Sequence, residues 1–310
     1  SRRVPPTLSD GANTKPTSGP LVLVQSESFF DARRVAGVSP ALLPAWDRCM
    51  AQGAQWGRLT VPSWGANTVR SEFAVLSGLE QHQLGYDRFN PYHRFAAKPI
   101  NSLARQMKLK GYKTICVHPF DKRFYGRDKV LANLGFDEFI DESAFESAER
   151  VNGFVSDIAV AQHVVDILAK EGPATFIFVI TMENHGPWPS HRVDVPIQLA
   201  KNLALPQSQQ IVMEQYLQCI THADAMLGML HDEVIAKHEG GVLGFYGDHL
   251  PALSTIFCTL KFSDRRSDYL LVGSVASETS RKDIEVHQLH STFLNLQTQA
   301  ETPQSRLVSA

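Results

Sequence analysis

The sequence predicts an α/β fold: a mostly parallel central sheet flanked by helices. Three observations predict it. First, Leu21-Val22-Leu23-Val24, Phe176-Ile177-Phe178-Val179-Ile180 and Val242-Leu243-Gly244-Phe245-Tyr246 are short runs without a polar break, as expected of strands covered on both faces. Second, segments of helical periodicity separate these runs. Third, no internal repeat, heptad run or convincing linker interrupts the alternation, which favours one domain over residues 21–300.

Residues 1–20 hold four Pro and two Gly among Ser and Thr, so a flexible leader or linker is expected there. A flexible tail is expected over 301–310. The first strand runs from Leu21 to Val24 and leads into Gln25-Ser26-Glu27-Ser28. Residues 62–67 are rich in turn formers, and Phe73, Leu76 and Leu79 then recur at helical spacing, which places Thr68 near a helix N-terminus. Residues 99–110 read as a helix with Leu103 and Met107 on one side, ended by Gly111. A strand is expected over 113–118. Val155, Ala159, Val160 and Val164 share a face of a helix over 152–169. Residues 174–182 form the next strand, 187–206 a Pro-containing surface loop, and 209–231 a long helix. Strands over 242–246 and 268–272 and a helix over 286–297 complete the series.

Composition narrows the function. With 30 Lys+Arg against 32 Asp+Glu, the chain has no excess of positive charge for a broad nucleic-acid surface. Cys49, Cys116, Cys219 and Cys258 are widely spaced with no CxxC, so they read as isolated thiols with no Cys-rich zinc motif. The longest strongly apolar runs are about eight residues, against about 20 for a membrane helix.

The chemistry sits where the apolar strands stop. Glu27 follows the first strand, Glu183, Asn184 and His185 follow the second, and Asp248 and His249 follow the third. Ligands of open α/β sheets bind beyond the carboxyl ends of the strands, so groups far apart in sequence converge there. Glu27, Asp248 and His249 supply oxygen and imidazole donors suited to a divalent cation. Each has an ordinary alternative: an acidic residue after a strand is commonly a helix cap or an ion-pair partner. Thr68 near a helix start is commonly a cap. As a nucleophile it needs activation, which a bound cation supplies while neutralising a phosphoryl or sulfuryl group. Arg127, His118 and His185 are candidates for holding nonbridging or alcohol oxygens, although any one of them alone is more often structural.

Taken in order, these segments resemble the sulfatase-like branch of the alkaline phosphatase superfamily, and within it the catalytic domains of lipoteichoic acid synthases and related phosphoglycerol transferases. The resemblance spans roughly residues 20–300. The strand ending in Glu27 is similar to the segment carrying a metal-binding Glu. In Asn67-Thr68-Val69-Arg70-Ser71-Glu72, Thr68 matches the metal-bound catalytic threonine. His118 with Phe124-Tyr125-Gly126-Arg127-Asp128 resembles the substrate-binding segment. There Arg127 matches the phosphate-binding arginine, Tyr125 an aromatic residue near the substrate, and Gly126 stands where Asn is commoner. Thr181-Met182-Glu183-Asn184-His185-Gly186-Pro187-Trp188 resembles the substrate-binding histidine motif, and Phe245-Tyr246-Gly247-Asp248-His249 carries the paired metal ligands.

The resemblance implies an alkaline phosphatase/sulfatase-like fold and one divalent cation, with Mn preferred and Mg or Zn as alternatives. It implies a phosphoglycerol transferase acting through a phospho-threonine intermediate, with a phospholipid donor and a glycan or glycolipid acceptor. The expected location is the cell envelope, at the extracytoplasmic or periplasmic face of the membrane, with attachment through a segment outside this chain or through a partner. Phosphoethanolamine transfer, hydrolysis by a phosphodiesterase, and a non-catalytic domain binding anionic glycans are the competing expectations. A sulfatase activity fits less well, because the Cys/Ser motif that such enzymes modify is not found.

Overall fold

A computed structural model describes residues 19–95, 99–192, 196–275 and 278–301. The expected leader, up to residue 18, and the expected tail, from residue 302, lie outside them. Gly19 and Pro20 are buried at the head of the first strand.

In chain order the first half comprises β1 (Leu21–Ser26), α1 (Pro44–Ala51), β2 (Gln55–Thr60), α2 (Thr68–Ser77), α3 (Pro91–Phe95), α4 (Leu103–Leu109), β3 (Lys113–Val117), α5 (Arg127–Asn133) and β4 (Glu138–Ile140). A hairpin of β5 (Arg150–Val151) and β6 (Phe154–Val155) follows, then α6 (Asp157–Glu171), β7 (Thr175–Ile180) and α7 (Gln207–His231). The chain continues with β8 (Val242–Gly247), α8 (Ser254–Thr259), β9 (Ser267–Gly273), β10 (Ser280–Arg281), β11 (Ile284–Glu285) and α9 (Gln288–Glu301).

Nine strands form the main sheet, in the order β10-β2-β9-β8-β1-β7-β3-β4 with β11 also beside β2. Only β9 opposes its neighbours, pairing antiparallel with β8 and with β2. The expected mostly parallel sheet is therefore present. Its central strands alternate between two cores, as the two-residue period of a strand requires. Val22 and Val24 of β1 and Ile177 and Val179 of β7 pack in one core with residues of α1, α6 and α7. Leu21, Leu23, Phe176 and Phe178 pack in the other with residues of α2, α4 and α9. Covering on both faces explains why these strands have no polar alternation.

Two helix starts lie well inside the sequence expectation for local reasons. The helix expected over 152–169 starts at Asp157, because Asn152 and Gly153 both take positive φ and close the β5–β6 hairpin as a two-residue turn. Ser156 then caps α6 by accepting from the Ala159 amide. The helix expected from 99 starts at Leu103, where the Ser102 hydroxyl accepts from the Arg105 amide. The described part of the 187–206 loop is irregular but anchored: Trp188, Ala200 and Leu203 are buried, and Glu214 accepts from the amides of Gln198 and Ala200. All four cysteines are free thiols, three of them buried. Among the described residues no helix is long and apolar enough to cross a membrane.

Candidate active site

The carboxyl ends of β1, β3, β7 and β8 open onto one cleft of about 500 Å³. Glu27, Thr68, His118, Tyr125, Arg127, His185 and His249 all line it. Asp248 lies fully buried immediately behind, next to His249.

The middle of the sheet brings three of these groups together. β1 and β8 are paired in register up to Ser26 and Gly247, so the next residues, Glu27 and Asp248, leave the sheet side by side. A side chain at Gly247 would place its Cβ 1.8 Å from the Phe29 carbonyl oxygen, so only glycine allows this approach. Ligand atoms of Glu27, Asp248 and His249 lie within 4.8 Å of one another. The Asp248 Oδ1 accepts from the amides of Ser28 and His249, each at 2.9 Å, while its buried Oδ2 has no hydrogen-bond partner. The His249 Nδ1 lies 3.0 Å from the Leu250 carbonyl. A carbonyl only accepts, so Nδ1 carries the proton and Nε2 presents a lone pair. That lone pair faces Asp248 Oδ2 at 3.2 Å and Glu27 Oε1 at 3.7 Å. Burial, and then the Asp248 carboxylate, push the Glu27 carboxyl well above its ordinary range, against a hydrogen bond from Ser28. Two buried carboxylates, an orphaned oxygen and an inward lone pair are mutually repulsive until a cation lies among them. The donor set therefore fits a divalent metal ion.

Thr68 is the first residue of α2 and does not cap it. The capping position belongs to Asn67, held at φ 65° with no side-chain cap bond. The Thr68 hydroxyl makes no hydrogen bond to the described residues and is half-buried at the cleft. Two bonds hold this helix end against the end of β8: the Ser71 hydroxyl donates to the Asp248 carbonyl at 2.6 Å, and the Gly65 amide donates to the Leu250 carbonyl at 3.1 Å.

Arg127 is 2% exposed and starts α5. Tyr125 and Gly126 before it both adopt left-handed φ, a conformation that Gly and Asn tolerate best, which accounts physically for Gly126 where Asn is commoner. The guanidinium meets Glu72 in two parallel bonds, Nε to Oε1 at 3.1 Å and Nη2 to Oε2 at 2.7 Å. Burial acts against its charge, and the Glu72 carboxylate outweighs it, so its pKa rises. Tyr125 packs its ring over the guanidinium at 5.4 Å.

His118 is buried with both nitrogens engaged. Nδ1 donates to the Ile180 carbonyl at 3.1 Å, so Nε2 accepts from Arg127 Nη1 at 3.2 Å. Its contacts thus make it a group that orients Arg127. Burial and then the Arg127 charge hold its pKa well below the usual histidine value. The unfolded chain therefore takes up a proton near pH 6.5 that the folded chain refuses, and stability falls as pH drops below that point. We expect unfolding free energies measured in urea from pH 7.5 to 5 to show this loss against His118→Asn, a neutral side chain with a donor and an acceptor. The difference approaches about 1.4 kcal/mol per pH unit for one proton; parallel curves would exclude it.

His185 is exposed on the loop after β7, donates from Nδ1 to the Gly186 carbonyl at 2.7 Å and packs against Phe154, with Nε2 making no hydrogen bond among the described residues. Sequence reasoning gave no role to Glu72 or to Glu183. Glu72 lies four residues after Thr68, hence on the same helix face, and that spacing was the available signal. Glu183 accepts from the Asp157 amide at the start of α6 and from His222 Nδ1 at 2.5 Å, so it ties the His185 loop to α6 and α7.

A profile of the sulfatase family matches residues 20–296. The chain belongs to the sulfatase family. This places it in the sulfatase-like branch of the alkaline phosphatase superfamily. It is similar to the capsular polysaccharide biosynthesis protein RkpI of Rhizobium meliloti, 37% identical over 257 residues that make up 82% of this chain and 45% of that protein. The chain thus spans less than half of that relative. The fold is shared with the phosphoglycerol transferase GacH of Streptococcus pyogenes, solved with sn-glycerol-1-phosphate, at a TM-score of 0.73 and 22% identity over 92% of this chain and 76% of that one. It is shared also with the lipoteichoic acid synthase LtaP of Listeria monocytogenes, at 0.70 and 20% over 90% and 72%.

Proposed function

We propose that this sulfatase-family domain is a metal-dependent phosphoglycerol transferase of the cell envelope. It takes phosphoglycerol from a lipid-linked donor, holds it on Thr68, and passes it to a surface glycan or glycolipid. The observation that carries this reading is the single cleft shared by an unbonded threonine hydroxyl, a cation-fitting triad and a buried arginine. The similarity to RkpI and the fold shared with GacH and LtaP support the substrate class. The domain works at the extracytoplasmic or periplasmic face of the membrane.

Glu27, Asp248, His249 and Thr68 would hold the cation, Mn by preference with Mg or Zn as alternatives, which supplies charge neutralisation and a more acidic threonine hydroxyl. The Thr68 oxygen bonds to phosphorus as the bond to the donor alcohol breaks, and the alcohol leaves with a proton. An acceptor hydroxyl then bonds to the same phosphorus, the bond to Thr68 breaks, and Thr68 regains a proton. His185 Nε2, with its lone pair free, takes the acceptor proton. Arg127 binds nonbridging oxygens in both steps.

Intact-protein mass spectrometry after exposure to phosphatidylglycerol tests this. The expected result is a phosphoglycerol adduct on Thr68 that Thr68→Ala lacks, with turnover in that variant lower by about 10³-fold or more. A phosphoethanolamine adduct after exposure to phosphatidylethanolamine alone would reassign the transferred group. Full turnover in Thr68→Ala would remove the nucleophile.

A further inference from the structure

Three aromatic rings face outward on two segments near the cleft wall. Tyr86 is 95% exposed, Phe89 58% and Phe124 48%. Tyr86 and Phe89 lie on the 3₁₀ segment Gln81–Phe89, and Phe124 on the turn Phe124–Gly126 at the cleft wall. Both segments pack against α3. Two guanidinium groups flank the Phe89 ring, Arg88 at 4.9 Å and Arg70 at 5.7 Å from its centroid. Arg70 is two residues past Thr68 and is held by Gln81 at 3.1 Å. Neither arginine meets a carboxylate among the described residues.

Such an arrangement has a specific physical use. A fully exposed tyrosine and an exposed phenylalanine gain nothing in water, but both are favoured at the headgroup level of a bilayer. Unneutralised guanidinium groups beside them match lipid phosphates and are attracted to an anionic surface. We propose that Tyr86, Phe89, Arg70 and Arg88 form an interfacial docking patch that sets the mouth of the cleft on an anionic phospholipid bilayer. The proposal deepens the reading of a lipid-linked donor and rests on it for its purpose. The arginines seat on phosphates and the rings enter the headgroup layer, with the first turn of α2, which carries both Arg70 and Thr68, held at that surface.

Flotation of the chain with phosphatidylcholine vesicles, with and without phosphatidylglycerol, tests it without turnover. The wild-type chain floats more strongly with the anionic vesicles, and salt weakens this. Arg88→Gln lowers partitioning about fivefold on anionic vesicles only. A Tyr86→Ser/Phe89→Ser double variant lowers it about tenfold on both. Thermal unfolding confirms that each variant is folded. A wild-type chain that floats with neither vesicle, or a folded variant that partitions unchanged, overturns the patch. Thr68→Ala floats like wild type, so failure of the docking patch and failure of the transferase reading stay distinguishable.

Discussion

Replacing Asp248 with asparagine is expected to remove the bound divalent cation and about 10³-fold or more of turnover, because a catalytic metal contributes several kcal/mol to the charged transition state. The stability effect runs the other way when metal is withheld. In the wild-type chain without metal, Asp248 and Glu27 are buried beside each other, and burial and then the Asp248 charge raise the Glu27 pKa. Asparagine keeps an oxygen to accept from the amides of Ser28 and His249 while deleting that repulsion. In excess chelator the variant should therefore unfold at a temperature equal to or above wild type. Adding Mn²⁺ should raise the wild-type melting temperature and leave the variant unchanged, since a ligand stabilises only the state that binds it. Calorimetric titration with Mn²⁺ together with thermal scans reads both effects. An equal rise in both proteins would place the cation elsewhere; a variant less stable than wild type in chelator would mean that Asp248 acts as a hydrogen-bonding anchor and not as a metal ligand.

The sequence discloses the groups that follow buried strands and hides those that act through other side chains. Glu27 and Asp248-His249 stand out because a strand covered on both faces allows no polar residue until it ends, so the first charged group afterwards marks the sheet edge. β1, β7 and β8 are visible for the same reason. β2 is not, because Gln55–Thr60 is half-buried at the far side of β9, where Gln55, Trp56 and Arg58 are partly exposed and only Gly57 and Leu59 are buried. The reversed direction of β9 cannot be read from residues 267–273 either, since nothing in an apolar strand records the orientation of its neighbours. At the site, His118 and Arg127 are identifiable as a segment, but their mutual bond depends on β3 and α5 meeting. Glu72 shares a helix face with Thr68, and its partner is 55 residues away, a distance at which sequence spacing carries no information.

Glu72 is where the second large effect is expected. It is fully buried, and Tyr92 and Gln25 also donate to its carboxylate. Tyr246 in turn donates to Gln25 at 2.6 Å, so one carboxylate organises groups from α2, α3, α5, β1 and β8. Glu72→Leu leaves the Arg127 guanidinium buried and uncompensated, which costs about 3–5 kcal/mol, or roughly 10 °C of melting temperature. Removing both charges with Glu72→Leu/Arg127→Met should recover the part of that loss owed to the lone guanidinium, while Tyr92, Gln25 and His118 each lose a partner. Activity separates the two roles of Arg127. A guanidinium has five N–H bonds; two go to Glu72 and one to His118, leaving two on a residue that lines the cleft. If these two hold nonbridging phosphoryl oxygens, the double variant is stable and remains about 10²-fold or more below wild type in turnover. If Arg127 only balances Glu72, stability and turnover return together. Thermal unfolding and steady-state rates on the single and double variants decide between the two.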